Sequence, residues 1–229
     1  MKLNKLICIV ILEFISTSAL ASSYDKFYVA VDAGIFQADF NNKYIDRTDV
    51  IPQNIEQPSI QYGYTSGIAL GYSRLMSQNY FIGGQLSANF DGNNASFQSG
   101  ASNTSFSDQI NMSHHFDLTF VPGLVLSNSI ATYLKLGISY ALLEDEINSP
   151  AGFNSTIMTH YHSNENAIGF AAGLGIAKSL TDHISLFTEA NYHDYGTIDY
   201  ADFQNFMTTY SHSTHIYSYD VVIGAAYTI

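Results

Sequence analysis

Histidines and a few isolated charges are the residues of this 229-residue chain that could do chemistry. His160-x-His162 and His212-x-x-His215, with Asp194, offer imidazole and carboxylate ligands of the kind that hold zinc or copper. No cysteine joins them, and the spacing matches no defined metal motif. Together with His114, His115 and His193 they map to stretches without regular alternation or to the strand ends beside them, where solvated loop residues are the plainer reading and pH-sensitive loop packing a further one. A second set is Asp32, Gln85, Asp117, Lys135, Glu189 and Asp220, each standing alone in otherwise uncharged surroundings. Buried charges must be paired or hydrogen-bonded, so these residues predict an interior polar cluster. Lys135 and Glu189 both lie a few residues from a short turn, which predicts an ion pair between them. The cluster reads either as a structural polar plug or as a gated conductance path. Carboxylates outnumber cations in it, so such a path would prefer cations. Nothing in the chain calls for a cofactor.

The elements that must position these groups are strands. Period-two alternation appears eight times. Phe27, Val29, Val31, Ala33 and Ile35 oppose Tyr28, Ala30, Asp32 and Gly34, and similar runs follow at 64–73, 80–90, 114–126, 133–142, 168–177, 184–193 and 217–229. Each is close to the roughly 9–11 residues of a tilted membrane-spanning strand. Short connections near 75–79, 127–131 and 179–183 alternate with long ones near 37–61, 91–112, 143–166 and 194–215. That is the pattern of a barrel with tight turns on one side of a membrane and loops on the other. Pro122 removes a ladder donor, which predicts a bulge or local irregularity in the fourth strand.

One face of each strand carries large Leu, Ile, Phe and Tyr; the other carries Gly, Ala, Ser and the isolated charges. The interior of an eight-stranded barrel is wide enough only for its own side chains. Small and polar residues therefore fit inside and bulky apolar ones against acyl chains, the reverse of a water-soluble ligand-binding barrel. Phe27, Tyr64, Tyr72, Tyr80, Phe90, Tyr140, Tyr192, Tyr217 and Tyr227 stand near strand ends, where amphipathic rings favour membrane–water boundaries. The predicted fold is an all-β, eight-stranded antiparallel up-and-down transmembrane barrel.

Composition and the start of the chain agree. Lys2 and Lys5 precede the apolar run Leu6–Leu12, and Ala19-Leu20-Ala21 places small residues before a cleavage site, so residues 1–21 read as a signal peptide and 22–229 as the barrel domain. Removing them leaves 6 basic and 19 acidic residues, a net charge of −13. The only cysteine, Cys8, leaves with that segment, so no disulfide framework exists. The acidity argues against nucleic acid and against a basic patch for anionic lipid. Tyr (17) and Phe (15) are abundant and charged residues make up only 12 %, yet no stretch after Ala21 is long enough for a spanning helix. A bilayer-spanning structure then requires a closed barrel.

On these features the chain resembles the small outer-membrane β-barrel superfamily, the OmpA-like, OmpX and opacity-protein group. The final strand, Tyr219-Asp220-Val221-Val222-Ile223-Gly224-Ala225-Ala226-Tyr227-Thr228-Ile229, alternates as theirs does, with an aromatic third from the end. The resemblance implies that Tyr227 and Ile229 form the signal read by the barrel-assembly machinery, although Ile229 replaces the usual terminal Phe. It also implies contact with outer-membrane lipid and lipopolysaccharide and residence in the Gram-negative outer membrane. His160-Tyr161-His162-Ser163-Asn164 looks loosely like the His-x-Ser-Asn segment of lipid A deacylases, but the serine is one place late from His160 and one place early from His162. Residues two apart share a strand face, so neither histidine is placed beside Ser163. The expectation is a non-enzymatic surface protein, adhesive through polar loops that meet a host or surface ligand. A narrow cation-preferring, porin-like pore is the alternative, and a lipid A-modifying enzyme a weaker one.

Overall fold

The computed structural model describes residues 26–46, 54–77, 79–92, 97–99, 106–127, 129–150, 158–200, 203–205 and 208–229. The expected signal peptide lies outside them. Ten strands occur among these residues: β1 (Lys26–Asp46), β2 (Asn54–Leu75), β3 (Tyr80–Gly92), β4 (Phe97–Ser99), β5 (Phe106–Ser127), β6 (Ile130–Pro150), β7 (Met158–Ser179), β8 (Ile184–Asp199), β9 (Phe203–Asn205) and β10 (Thr208–Thr228). Short β4 and β9 are accessory ribbons on β5 and β10. The other eight form an antiparallel meander, and β10 returns to pair with β1 from Tyr28↔Thr228 to Asp46↔Tyr210, closing the barrel. Closure leaves no sheet edge across the membrane belt, as a bilayer demands.

The tight turns are set locally. The backbone N–H groups of Leu180 and Thr181 donate to the Ile184 carbonyl, while the Thr181 hydroxyl oxygen accepts from the N–H groups of His183 and Ile184. The Met76 N–H similarly donates to the Tyr80 carbonyl. In barrels of this kind such turns are periplasmic and the opposite end faces outward.

The strands run far past the expected boundaries. Residues 37–46 and 54–61, 143–150 and 158–166, and 194–199 and 208–215, all expected as loop, continue the barrel wall. The physical reason is an inversion of polarity along each strand. In the lower half of β1 the odd residues Phe27, Val29, Val31 and Ile35 face outward and Asp32 faces the lumen. Above Ile35 the apolar residues change face. Ile35 is 63 % exposed, whereas its neighbour Phe36 is 2 % exposed, followed inward by Phe40 and Tyr44, with Asn41 and the half-buried Gln37, Asp39 and Lys43 outside. Next to lipid the outer face must be apolar; beyond the membrane it must be polar, and the lumen becomes an ordinary core. With about 9–11 residues needed to span, a 21-residue strand such as β1 leaves about half its length outside.

Two bulges keep the inward sets aligned across this change. The β5–β6 register shifts between Met112 and His114, so that Ile110 and Met112 point inward above it and His115 and Asp117 below it. The β10–β8 register shifts between Ile216 and Tyr217, opposite Gly196, which has φ +69°. At Pro122 the β6 ladder is interrupted over Val121 and Pro122, but the register is the same on both sides, so the irregularity there is a gap in pairing and the bulges lie elsewhere.

The lipid belt is bounded by rings. Phe27, Tyr72, Tyr80 and Tyr227 are exposed near the turn end, and Tyr62, Tyr64, Phe90, Tyr140 and Tyr219 near the other boundary. Phe27 packs on Tyr72 (4.7 Å) and Tyr192 on Tyr219 (5.1 Å). Leu118, opposite Leu86 and Ile138, is 57 % exposed near mid-belt. Leu118→Arg is expected to destabilise the barrel by about 2–4 kcal/mol, against about 0–1 for an arginine at boundary residue Tyr219. Reversible urea unfolding in lipid vesicles would check the difference; equal losses would contradict the belt.

Inside, four aromatic side chains each lie across a glycine directly opposite: Tyr28 over Gly71, Phe81 over Gly123, Tyr133 over Gly175 and Phe187 over Gly224. A Cβ at any of these glycines would strike the ring. The four pairs occupy one level near the turns, one from each of β1–β2, β3–β5, β6–β7 and β8–β10. Gly175→Val is therefore expected to cost about 1–3 kcal/mol by overpacking. A lower temperature for conversion of the folded, fast-migrating gel species would show it.

Candidate functional site: the barrel lumen

From the turn end outward the lumen is built in tiers. The aromatic–glycine level surrounds a cavity of about 90 Å³, lined also by Asp32, Ser73, Gln85, Glu189 and Thr228. Above it the Tyr28 hydroxyl donates to Gln85 Oε1 (2.9 Å), the Tyr133 hydroxyl to Glu189 Oε1 (2.7 Å), and the Lys135 ammonium to Glu189 Oε2 (2.9 Å). Lys135 and Glu189 are both buried, so this tier is an ion pair with a phenol satisfying the second carboxylate oxygen.

The next tier is an imidazole–carboxylate cluster. Asp117 Oδ2 accepts from Ser87 Oγ (3.1 Å) and Asn89 Nδ2 (3.0 Å). His115 Nδ1 sits 2.7 Å from Asp91 Oδ2, and its Nε2 3.8 Å from Asp117. His193 Nε2 lies 3.5 Å from Asp117 Oδ1, with its Nδ1 3.3 Å from the Ser218 hydroxyl and 3.8 Å from Asp220. Asn191 Nδ2 donates to Asp220 Oδ1 (2.8 Å). The two imidazoles are 4.8 Å apart, centre to centre.

Above the cluster the lumen is apolar. Phe36, Phe40, Ile110, Met112, Leu143 and Ile216 are each at most 2 % exposed and pack with Ala38, Ala141, Ala167 and Tyr195 into one core. Over this cap the His212 ring is sandwiched between Tyr44 (4.5 Å, 13°) and Tyr200 (4.8 Å, 15°), while Thr214 donates to Asn42 Oδ1 (2.7 Å).

Thus Asp32, Gln85, Asp117, Lys135, Glu189 and Asp220 all face the lumen, split between two tiers. The histidines scatter differently from the expected loop cluster. His115 and His193, expected with the loop residues, are buried in the barrel; His212 is buried above the cap; His162 is exposed on the outer wall. His215 Nε2 and Asp194 Oδ1 do meet, 3.5 Å apart and partly exposed. His160 lies on β7 opposite Asn148, remote in register from His212, which pairs with Tyr44. Ser163 donates its hydroxyl to Glu165 (3.0 Å). Tyr227 faces outward with the His183 ring stacked on it (5.7 Å), and the Ile229 N–H donates to the Phe27 carbonyl (2.9 Å). Sequence reasoning missed Asp91, whose inward parity in the third alternation was available, and the cap, whose parity was reversed.

A closed eight-stranded antiparallel barrel with an apolar outer belt, aromatic boundaries and a charged lumen is an integral protein of the Gram-negative outer membrane. The chain belongs to the family described as "Outer membrane protein beta-barrel domain", whose model matches residues 7–227. It is 26 % identical over 213 residues to an uncharacterised protein of Coxiella burnetii, covering 86 % of this chain and 82 % of that one. Among solved structures it is similar to neisserial surface protein A (13 % identity, 89 % of this chain and 97 % of that one, TM-score 0.42). It is also similar to OprG of Pseudomonas aeruginosa (12 % identity, 92 % and 99 %, TM-score 0.47) and to Ail of Yersinia pestis (9 % identity, 82 % and 97 %, TM-score 0.35).

Proposed function

We propose that this protein is a non-conducting surface barrel that acts through its extracellular extension, as a rigid pedestal presenting adhesive loops. The observation that carries the reading is the apolar cap of Phe36, Phe40, Ile110, Met112, Leu143 and Ile216, which fills the lumen beyond the membrane belt. A hydrated ion meeting that tier loses its water with no polar group to replace it. The same strands carry a polar outer wall there. Among its described side chains Asp39, Glu56, Glu144, Glu146 and Asp199 face solvent beside Lys43. A partner met on that flank would be cationic, or bridged by divalent cations as lipopolysaccharide phosphates are. Tyr227 and Ile229 serve the assembly machinery in this reading.

Planar-bilayer recording of the folded full-length barrel tests the closed lumen: no discrete current steps are expected, and reproducible cation-selective steps would favour the porin-like alternative. Adhesion of cells displaying the chain to host cells, compared with Glu56→Lys/Glu144→Lys/Glu146→Lys cells, tests the pedestal. Binding that neither depends on the chain nor falls with these substitutions would overturn its adhesive role.

A further inference from the structure

We infer that the imidazole–carboxylate tier is a binding site for one divalent transition-metal ion of the zinc type, held by His115, His193 and Asp220 with Asp117 as the fourth ligand. Ligand atoms of His115, His193 and Asp220 lie within 4.8 Å of one another, and all three residues are buried. The Asp117 carboxylate flanks both rings, with Oδ1 3.5 Å from His193 Nε2 and Oδ2 3.8 Å from His115 Nε2, so turning one oxygen inward completes the set. Ligands of an ion bound at about 2.0–2.2 Å stand about 3.3–3.5 Å apart in a tetrahedron, so closure requires shifts of about 1 Å or less per side chain.

Three features lift this above an ordinary polar cluster. Asp117 Oδ1 is buried and has only the long 3.5 Å contact with His193 Nε2, outside good hydrogen-bond geometry, although Oδ2 of the same carboxylate accepts two hydrogen bonds. Asp91 holds His115 by Nδ1 at 2.7 Å, the carboxylate–imidazole arrangement that orients a metal-binding ring and leaves Nε2 directed inward. Five carboxylates, Asp32, Asp91, Asp117, Asp220 and Glu189, share the region with one ammonium, Lys135, and the two imidazoles, so carboxylates outnumber the groups able to carry positive charge. A buried excess of carboxylate is costly unless a cation meets it. Beneath the tier a space of about 10 Å³, about that of one water, touches His115, Asp220 and Asp32. It adjoins the larger cavity through Asp32, Gln85 and Glu189, so the route for an ion is from the turn end, not through the cap.

The inference stands apart from the adhesive reading and is tested on the untagged mature chain, folded in detergent micelles and dialysed against zinc chloride. One zinc per folded chain is expected at micromolar free ion. His115→Gln and His193→Gln should each lower the affinity at least about 100-fold, and Asp91→Asn, which acts only through His115, about 10–100-fold. The outer-wall variant His162→Gln/His215→Gln should bind like the unaltered chain. Absence of bound zinc in the unaltered chain overturns the site. So does equal binding by the two lumen variants, or loss of binding on substituting the outer-wall pair. If the lumen variants fail to fold, cobalt(II) bound to the unaltered chain decides. Intense visible bands of a low-symmetry site are expected, and the weak spectrum of hydrated cobalt would overturn the inference.

Discussion

Lys135→Ala is expected to lower the thermal stability of the folded barrel by about 3–5 kcal/mol, because it strands a buried carboxylate. Glu189 is 6 % exposed and keeps one partner, the Tyr133 hydroxyl, once the ammonium at 2.9 Å is gone. Asp32 faces the same space and adds to the negative charge there. The complementary change separates a pair from a pair of singles. Lys135→Met/Glu189→Gln removes both charges at nearly constant volume, and such replacements are often neutral or stabilising. The double variant should therefore recover most of the loss seen in Lys135→Ala. Temperature-dependent migration on gels, with unfolding in detergent followed by circular dichroism, measures all three proteins. If Lys135→Ala melts like the unaltered chain, the tier is not held by this pair.

Phe40→Ala is expected to destabilise the extracellular half by about 3–5 kcal/mol, the cost of truncating a fully buried ring. Phe40 is 1 % exposed and sits in the cap with Phe36, Ile110 and Ile216. The site can relax little, because its neighbours are themselves on paired strands: β1 carries Phe36, β5 Ile110 and β10 Ile216, all bound into one continuous wall. The loss should be local. Surface protease should cut the outer segments of the Phe40→Ala chain faster while the belt stays protected, since lipid and the lower tiers are untouched. Hydrogen exchange resolved by peptide would read the same asymmetry. Uniform loss of protection along the strands would mean that cap and belt unfold as one unit, and an unchanged pattern would remove the cap from the stability of the extension.

Much of the barrel is written in local pattern. Eight runs of alternating residues, a C-terminal strand ending in Tyr227 and Ile229, and tight turns before Tyr80 and at 180–183 depend on neighbours in the chain, so strand number, closure and the lipid-facing side could be read directly. The inward direction of Asp32, Asp117, Lys135, Glu189 and Asp220 follows from the same parity. What the sequence could not convey by itself was where the environment changes. Phe36, Phe40 and Ile216 break the parity of the belt and so look like irregular loop, yet they are regular strand in a stretch where water, not lipid, lies outside. The bulges at Met112/His114 and Ile216/Tyr217 also shift phase midway, which a fixed period of two cannot register. Long-range register decided the rest: only closing β10 onto β1 and pairing β8 with β10 brings His115, His193, Asp117 and Asp220 together from three strands. Parity is a property of one strand, whereas a site in a barrel lumen is a property of height, and height is set by how every strand is staggered against its neighbours.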